Sequence, residues 1–163
     1  GRWQEPIRRL CTRMTGDSHR AEDLSQEVFL KLFSHRKTFQ QGARLSTYLW
    51  RIAINHCQNE LRRARNRYET LVVMDPETDE TVIDRASDGF PGPDQQAVDL
   101  ETVAVIRQAL DALPEQHRAI VVLRHYEGLK FREIAEVLDL PEGTVKTRMT
   151  EALTQLARLL RYR

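Results

Sequence analysis

Five polar side chains, Arg51, Asn55, Gln58, Asn59 and Arg62, recur at three- and four-residue spacing in a stretch that reads as helix, so they share one face. Guanidinium groups suit phosphates, and side-chain amides suit base edges. Tyr48 and Trp50 lie one turn earlier, and aromatic rings are platforms for unstacked bases. Together these residue types describe a surface for opened DNA. The same side chains on an exposed helix are also compatible with simple solvation, so their spacing alone does not assign the role.

A second constellation lies near the end of the chain, in FREIAEVLDLPEGTVKTRMTEAL. Ile134, Ala135 and Leu138 supply the inner face of one short helix, and Ala135 is small enough to let a second helix cross closely. Val145, Met149, Ala152 and Leu156 supply the inner face of that second helix. Thr144, Thr147, Arg148 and Glu151 then fall on its opposite face, at i, i+3, i+4 and i+7. A recognition helix must present such a face to a major groove, with its N-terminal amides near phosphate. The helix lengths and the Asp139-Leu140-Pro141 turn fit a helix-turn-helix; an ordinary helical hairpin with a solvated face is the bland alternative.

No constellation for hydrolysis or metal binding competes with these two, and no cofactor or metal is expected. His19, His35, His56, His117 and His125 are scattered, and each reads as a surface or packing residue. His56, on an inner helix face, reads as a satisfied core histidine. Cys11 and Cys57 match no metal or CxxC spacing and sit among apolar neighbours, as inert buried thiols do. A reducing, cytoplasmic setting fits, with no membrane insertion: no apolar run approaches the roughly 18 residues that span a bilayer, and no signal peptide opens the chain.

The elements that position these residues are predicted to be helices. Seven glycines and six prolines in 163 residues are few, and long β-branched alternations are absent. Residues 6–14 read as a short helix stopped by Gly16, and Asp17 or Ser18 caps a second with Ala21, Leu24, Val28 and Leu32 inside. After the loop 40–45, Ser46 is the expected N-cap of a long helix reaching about Arg67 and burying Leu49, Ile52, Ala53, His56 and Leu61. In the last third, helices are expected from Val98 to Ala112, from Pro114 to before Gly128, over 131–138, and from Glu142 to about Leu160.

Charge divides the chain more sharply than its net of +1 suggests. Residues 1–68 carry 14 basic and 6 acidic side chains, residues 69–101 carry 1 and 10, and residues 102–163 carry 10 and 8. A basic first block points to a polyanionic partner. The acidic stretch DPETDETVIDRASDGFPGPDQQ lacks a sustained apolar period and reads as a flexible linker, with Val82, Ile83 and Phe90 as its only apolar handles. The expected architecture is all-α: two small helical domains, 1–68 and 98–163, joined by an acidic linker over 69–97. Its carboxylates (Asp75, Glu77, Asp79, Glu80 and Asp84) are candidates to cover Arg51, Arg62, Arg63 and Arg65 in the free protein.

Three ordered segments carry a family resemblance. HRAEDLSQEVFLKLF resembles region 2.2 of the extracytoplasmic-function (ECF) sigma factors of bacterial RNA polymerase. LSTYLWRIAINHCQNELRR resembles the promoter-melting and minus-ten-reading segment that follows, and LDALPEQHRAIVVLRHYEGLKFREIAEVLDLPEGTVKTRM resembles region 4, which reads the minus-thirty-five element. The resemblance implies that Asp23, Gln26 and Glu27 contact core polymerase. It implies that the loop Gln40 to Leu45 holds a flipped minus-ten base, and that Asn55, Gln58 and Asn59 read bases or the strand beside them. Thr144, Lys146, Thr147 and Arg148 are implied in upstream DNA contact, and an anti-sigma factor becomes an expected partner.

Three departures accompany the resemblance. The family's longer first helix is largely missing, which implies a start upstream of Gly1; Asp139 stands where glycine or asparagine is common; and the recognition helix continues Thr150-Glu151-Ala152-Leu153 where relatives usually carry further arginines. The implied function is to direct polymerase to promoters, not to catalyse a reaction. Two rival readings are a stand-alone helix-turn-helix regulator, which has no reason to possess the region around Asp23 and Glu27, and a protein-binding mimic that antagonises transcription.

Overall fold

The computed structural model describes residues 1–39, 42, 44–74 and 100–161. The acidic stretch from Asp75, with Val82, Ile83 and Phe90, lies outside the described residues, as do Gln40, Gln41 and Ala43 of the base-holding loop. Helices make up all the regular structure among those described.

The first domain is built from three helices. In α1 (Gln4–Thr15) Ile7, Leu10, Cys11 and Met14 repeat at helical spacing and are fully buried. Gly16 stops it in the left-handed conformation, φ 71°, and its N–H donates to the Thr12 carbonyl over 2.8 Å. Asp17 is the N-cap of α2 (Ser18–Ser34), its Oδ1 accepting from the N–H groups of His19 and Arg20. α3 (Leu45–Met74) departs from expectation at both ends. It begins one residue before Ser46, which therefore sits in the first turn instead of capping it. It also runs seven residues beyond Arg67, because no glycine or proline interrupts the sequence before Pro76. The first residues of the expected linker are thus helical.

The second domain comprises α4 (Leu100–Ala112), α5 (Glu115–Val121), a π-helical turn over Val122–Tyr126, α6 (Phe131–Leu138) and α7 (Glu142–Arg161). Pro114 takes the N-cap position of α5, as its fixed φ allows. The Glu133 carboxylate accepts from the Lys130 N–H over 3.1 Å at the start of α6. Asp139 adopts φ 53°, the left-handed turn between α6 and α7 that glycine or asparagine fills more readily. Val145 and Ala152 are buried and Met149 and Leu156 half-buried, matching the expected inner face of α7.

The two expected domains do not keep separate cores: one apolar cluster runs through both. It joins Ile7, Leu10, Leu24, Leu49, Ile54 and Cys57 to Ile120, Val122, Leu123, Ile134 and Val145. A smaller cluster around Leu110, Leu113, Val121 and Ala152 ties α4, α5 and α7 together. Domains this small bury a modest share of their surface alone, so sharing a core is a physical gain. Arginines fasten the junction. The last carbonyls of α1 have no partner within their own helix; Arg118 donates to that of Met14, and Arg107 to that of Gly16 just beyond, over 2.9 Å. Arg13 meets Glu127 at 3.4 Å, both side chains nearly covered, with the guanidinium 4.1 Å above the Tyr126 ring. Burial pushes Glu127 above the usual carboxylate range and Arg13 below that of a free guanidinium, so desolvation offsets much of this pair's attraction.

Cys11 and Cys57 are buried free thiols, and the neighbouring Cys11 thiol together with burial pushes Cys57 well up, as expected of inert core cysteines. No helix among the described residues is long and apolar enough to cross a membrane.

Candidate nucleic-acid interface

α3 presents the expected polar line. Arg51, Asn55, Asn59 and Arg62 are exposed and Gln58 is half-buried. Tyr48 is half-buried beside Phe39, ring centroids 5.4 Å apart, at the edge of the line. Trp50 is not part of it. Only 6% exposed, it packs edge-on against Trp3 with centroids 5.6 Å apart, and its assignment as a DNA-binding aromatic is withdrawn. The reason is the central position of α3: α1 and α2 cover one side and α5 and α6 approach another, so the buried arc is wide enough to take in both Leu49 and Trp50.

Part of the line faces the second domain. Arg51 donates through Nε to the Val137 carbonyl over 3.3 Å and through Nη2 to that of Glu136, at the end of α6. Arg62 and Arg65 approach the Glu115 carboxylate at 3.7 and 3.4 Å. The linker carboxylates proposed to cover these arginines lie outside the described residues; groups of the second domain meet three of the four instead. A cavity of about 610 Å³ remains at this seam, lined by Arg44, Tyr48 and Arg51 from one side and Arg132 and Glu136 from the other.

On α7, Thr144, Thr147, Arg148 and Glu151 share one side as the spacing requires and line a shallow concavity of about 530 Å³ with Pro141 and Gly143. Thr147 Oγ1 donates back to the Gly143 carbonyl, leaving its oxygen as an acceptor. Lys146 lies exposed off this line, with its ammonium 3.4 Å from Glu142 one turn back. Glu151 meets His117 of α5 at 3.0 Å, a contact the sequence did not suggest.

On α2, Asp23 and Gln26 are exposed and Glu27 half-buried. Arg20 organises the carboxylates: it lies 3.6 Å from Asp23, 3.9 Å from Glu27 and 2.8 Å from the buried Glu60 of α3. Its hydrogen bond holds Glu60 below the usual carboxylate range. His56 stands half-buried 3.5 Å from Glu27, and burial, partly opposed by that carboxylate, lowers its pKa. The same face of α2 carries two residues that sequence reasoning missed, Leu30 and Phe33, 69% and 64% exposed. The signal was available: both are apolar yet off the buried phase of Ala21, Leu24 and Val28, and they fall seven residues after Asp23 and Gln26.

Comparison with known proteins agrees with this layout. Residues 1–67 match Sigma-70 region 2, and residues 104–156 match Sigma-70, region 4. The ECF RNA polymerase sigma factor SigW of Bacillus subtilis is 32% identical over 160 residues, covering 98% of this chain and 85% of SigW. The RNA polymerase sigma-H factor of Pseudomonas aeruginosa is 31% identical, covering 93% of this chain and 78% of its own. In fold the chain is similar to the sigma factor RpoE of Bartonella quintana, solved in complex with the anti-sigma factor NepR, at TM-score 0.71 and 22% identity, with 97% and 91% of the two chains covered. CnrH, solved in complex with the cytosolic domain of CnrY, aligns at TM-score 0.69 and 18% identity over 99% and 84% of the chains. A stand-alone regulator does not account for the region 2 match. With both matched regions in order, and a helix-turn-helix in the second, the chain belongs to the ECF sigma factors and directs promoter-specific transcription initiation by RNA polymerase.

Proposed function

We propose that the three faces divide the work of initiation. On α2, Asp23, Gln26 and Glu27, extended by Leu30 and Phe33, hold core polymerase. On α3, Arg51 and Arg62 hold the backbone of the melted strand, while Asn55, Gln58 and Asn59 read it, with Tyr48 as a stacking platform. On α7, Thr144, Lys146, Thr147 and Arg148 contact the upstream duplex. The working division into residues 1–68, 69–97 and 98–163 follows from these roles. The chain contributes specificity and leaves the chemistry to polymerase, in the cytoplasm where polymerase acts.

The observation that carries this proposal is the α2 face itself: two large apolar side chains stand in water beside a carboxylate network, on a helix whose opposite side buries Ala21, Leu24 and Val28. Exposed apolar residues flanked by charge mark a protein-binding surface. Replacing Gln26, Leu30 and Phe33 by alanine should abolish core binding and promoter-dependent transcription in vitro while leaving circular dichroism unchanged; retained core affinity would remove α2 from the polymerase contact.

The packed arrangement is the silent form in this proposal. With Arg51 on the α6 carbonyls and Arg62 near Glu115, two arginines of the strand-binding line are engaged within the protein and DNA must compete for them. Separation of the domains on polymerase would release it. The solved RpoE and CnrH chains are bound to NepR and to CnrY. An anti-sigma factor that holds this chain closed is the corresponding partner here.

A further inference from the structure

Glu151 is the one carboxylate among the side chains that line the outer concavity of α7. It repels phosphate, and an ionised carboxylate can only accept hydrogen bonds. On a surface offered to DNA it therefore needs a donor on a base edge, or a partner that draws it away.

Its partner does not draw it away. His117 projects from α5, and its Nε2 donates to Glu151 Oε2 over 3.0 Å. The His117 side chain is only 16% exposed, whereas that of Glu151 is 54% exposed. Nδ1 of the same ring is buried and has no hydrogen-bond partner among the described residues. The imidazole is thus a fixed post with one polar outlet, and that outlet holds the carboxylate at the surface. A carboxylate offers about four acceptor sites, so one bond to His117 leaves capacity for a base. Fixing the side chain beforehand also lowers the entropy lost when it binds.

We infer that Glu151, positioned by His117, is a specificity-determining residue that selects a C·G pair in the upstream duplex by accepting from the cytosine N4 amino group. The major groove offers two amino donors, cytosine N4 and adenine N6; carboxylates pair with the first, because the N7 acceptor beside adenine N6 repels a second acceptor. Arg148, one turn earlier on the same line, offsets the charge toward the neighbouring phosphates. This assignment rests on the proposal that α7 meets the upstream element.

The test is in vitro transcription with core polymerase over promoters randomised through that element. The native protein should enrich C·G at one position. In Glu151→Gln, which preserves shape, that preference should fall by roughly five- to 150-fold, the span of one good base contact, with all other positions unchanged. His117→Ala should relax the same position alone, and His117→Gln, whose amide donor has a similar reach to Nε2, should restore it. An unchanged base profile in Glu151→Gln would overturn the inference and make the contact a brace between α5 and α7. A loss spread evenly over all positions would overturn it equally. If the native protein selects no base at any position of that element, the proposal that α7 meets it fails, which is a distinct outcome.

Discussion

Arg51 of α3 donates to the main-chain carbonyl of Glu136 at the end of α6, joining the strand-binding line of the first domain to the helix-turn-helix of the second. The acceptor is backbone, so substitution of Glu136 does not remove it. A side chain assigned to melted DNA is therefore engaged within the protein, and DNA and the closed form compete for it.

The first prediction concerns the more tractable contact at the same seam, Glu115. Exposed ion pairs are worth little, typically below about 1 kcal/mol each, and Arg62 and Arg65 are both more than half exposed. Glu115→Gln should raise the isolated protein's affinity for single-stranded DNA a few-fold at low salt, read by fluorescence anisotropy. The difference should fade at high salt. Equal affinities at low salt would mean that the closed form does not mask the line.

Trp50 should behave as a core residue. Removing a buried tryptophan costs about 3 to 5 kcal/mol, a large fraction of the stability of a small protein. Trp50→Ala should lower the urea midpoint sharply and weaken DNA binding only in proportion to unfolding. Intact stability with lost promoter opening would instead return Trp50 to the DNA surface.

Glu60 sets an acid-side dependence whose sign follows from its pKa. Arg20 holds its carboxyl below the ordinary 4.5, so the stability it contributes is present above that value and lost as pH falls through its lowered one. Glu60→Gln should lower Tm at pH 7, and the gap from the native protein should narrow as pH falls below 4.5 and through the lowered pKa, under which both side chains are neutral. A gap independent of pH would show that packing, not charge, is what Glu60 supplies.

Asn55 and Arg62 should separate reading from holding. Losing one well-made base contact costs about 1 to 3 kcal/mol, so Asn55→Ala should relax a single minus-ten position in a promoter library. Arg62 is exposed on α3, and Arg62→Ala should weaken all sequences alike, as loss of a phosphate contact does. Superimposable profiles for Asn55→Ala and the native protein would leave Asn55 merely solvated.

Much of this protein was legible in its sequence because helices announce themselves locally. The 3.6-residue period placed α6 and α7 to within a residue or two, and Gly16, Asp17 and Asp139 marked the end of α1, the start of α2 and the end of α6 through backbone rules that need no neighbours. The polar faces of α3 and α7 followed from the same periodicity, and the ordered motifs supplied the family.

What the tertiary structure alone decided is where one helix meets another. A period states that Leu49 and Trp50 lie on adjacent arcs of α3; only the packing of helices on two sides shows that both arcs are covered. Likewise, nothing local links Arg51 to α6, Arg118 to the end of α1, or His117 to Glu151. These contacts join residues 34 to 104 positions apart, and their partners are in part main-chain carbonyls, which carry no side-chain signature in a sequence. The faces that face water were set by periodicity, and the fastening of those faces to one another was set by long-range geometry.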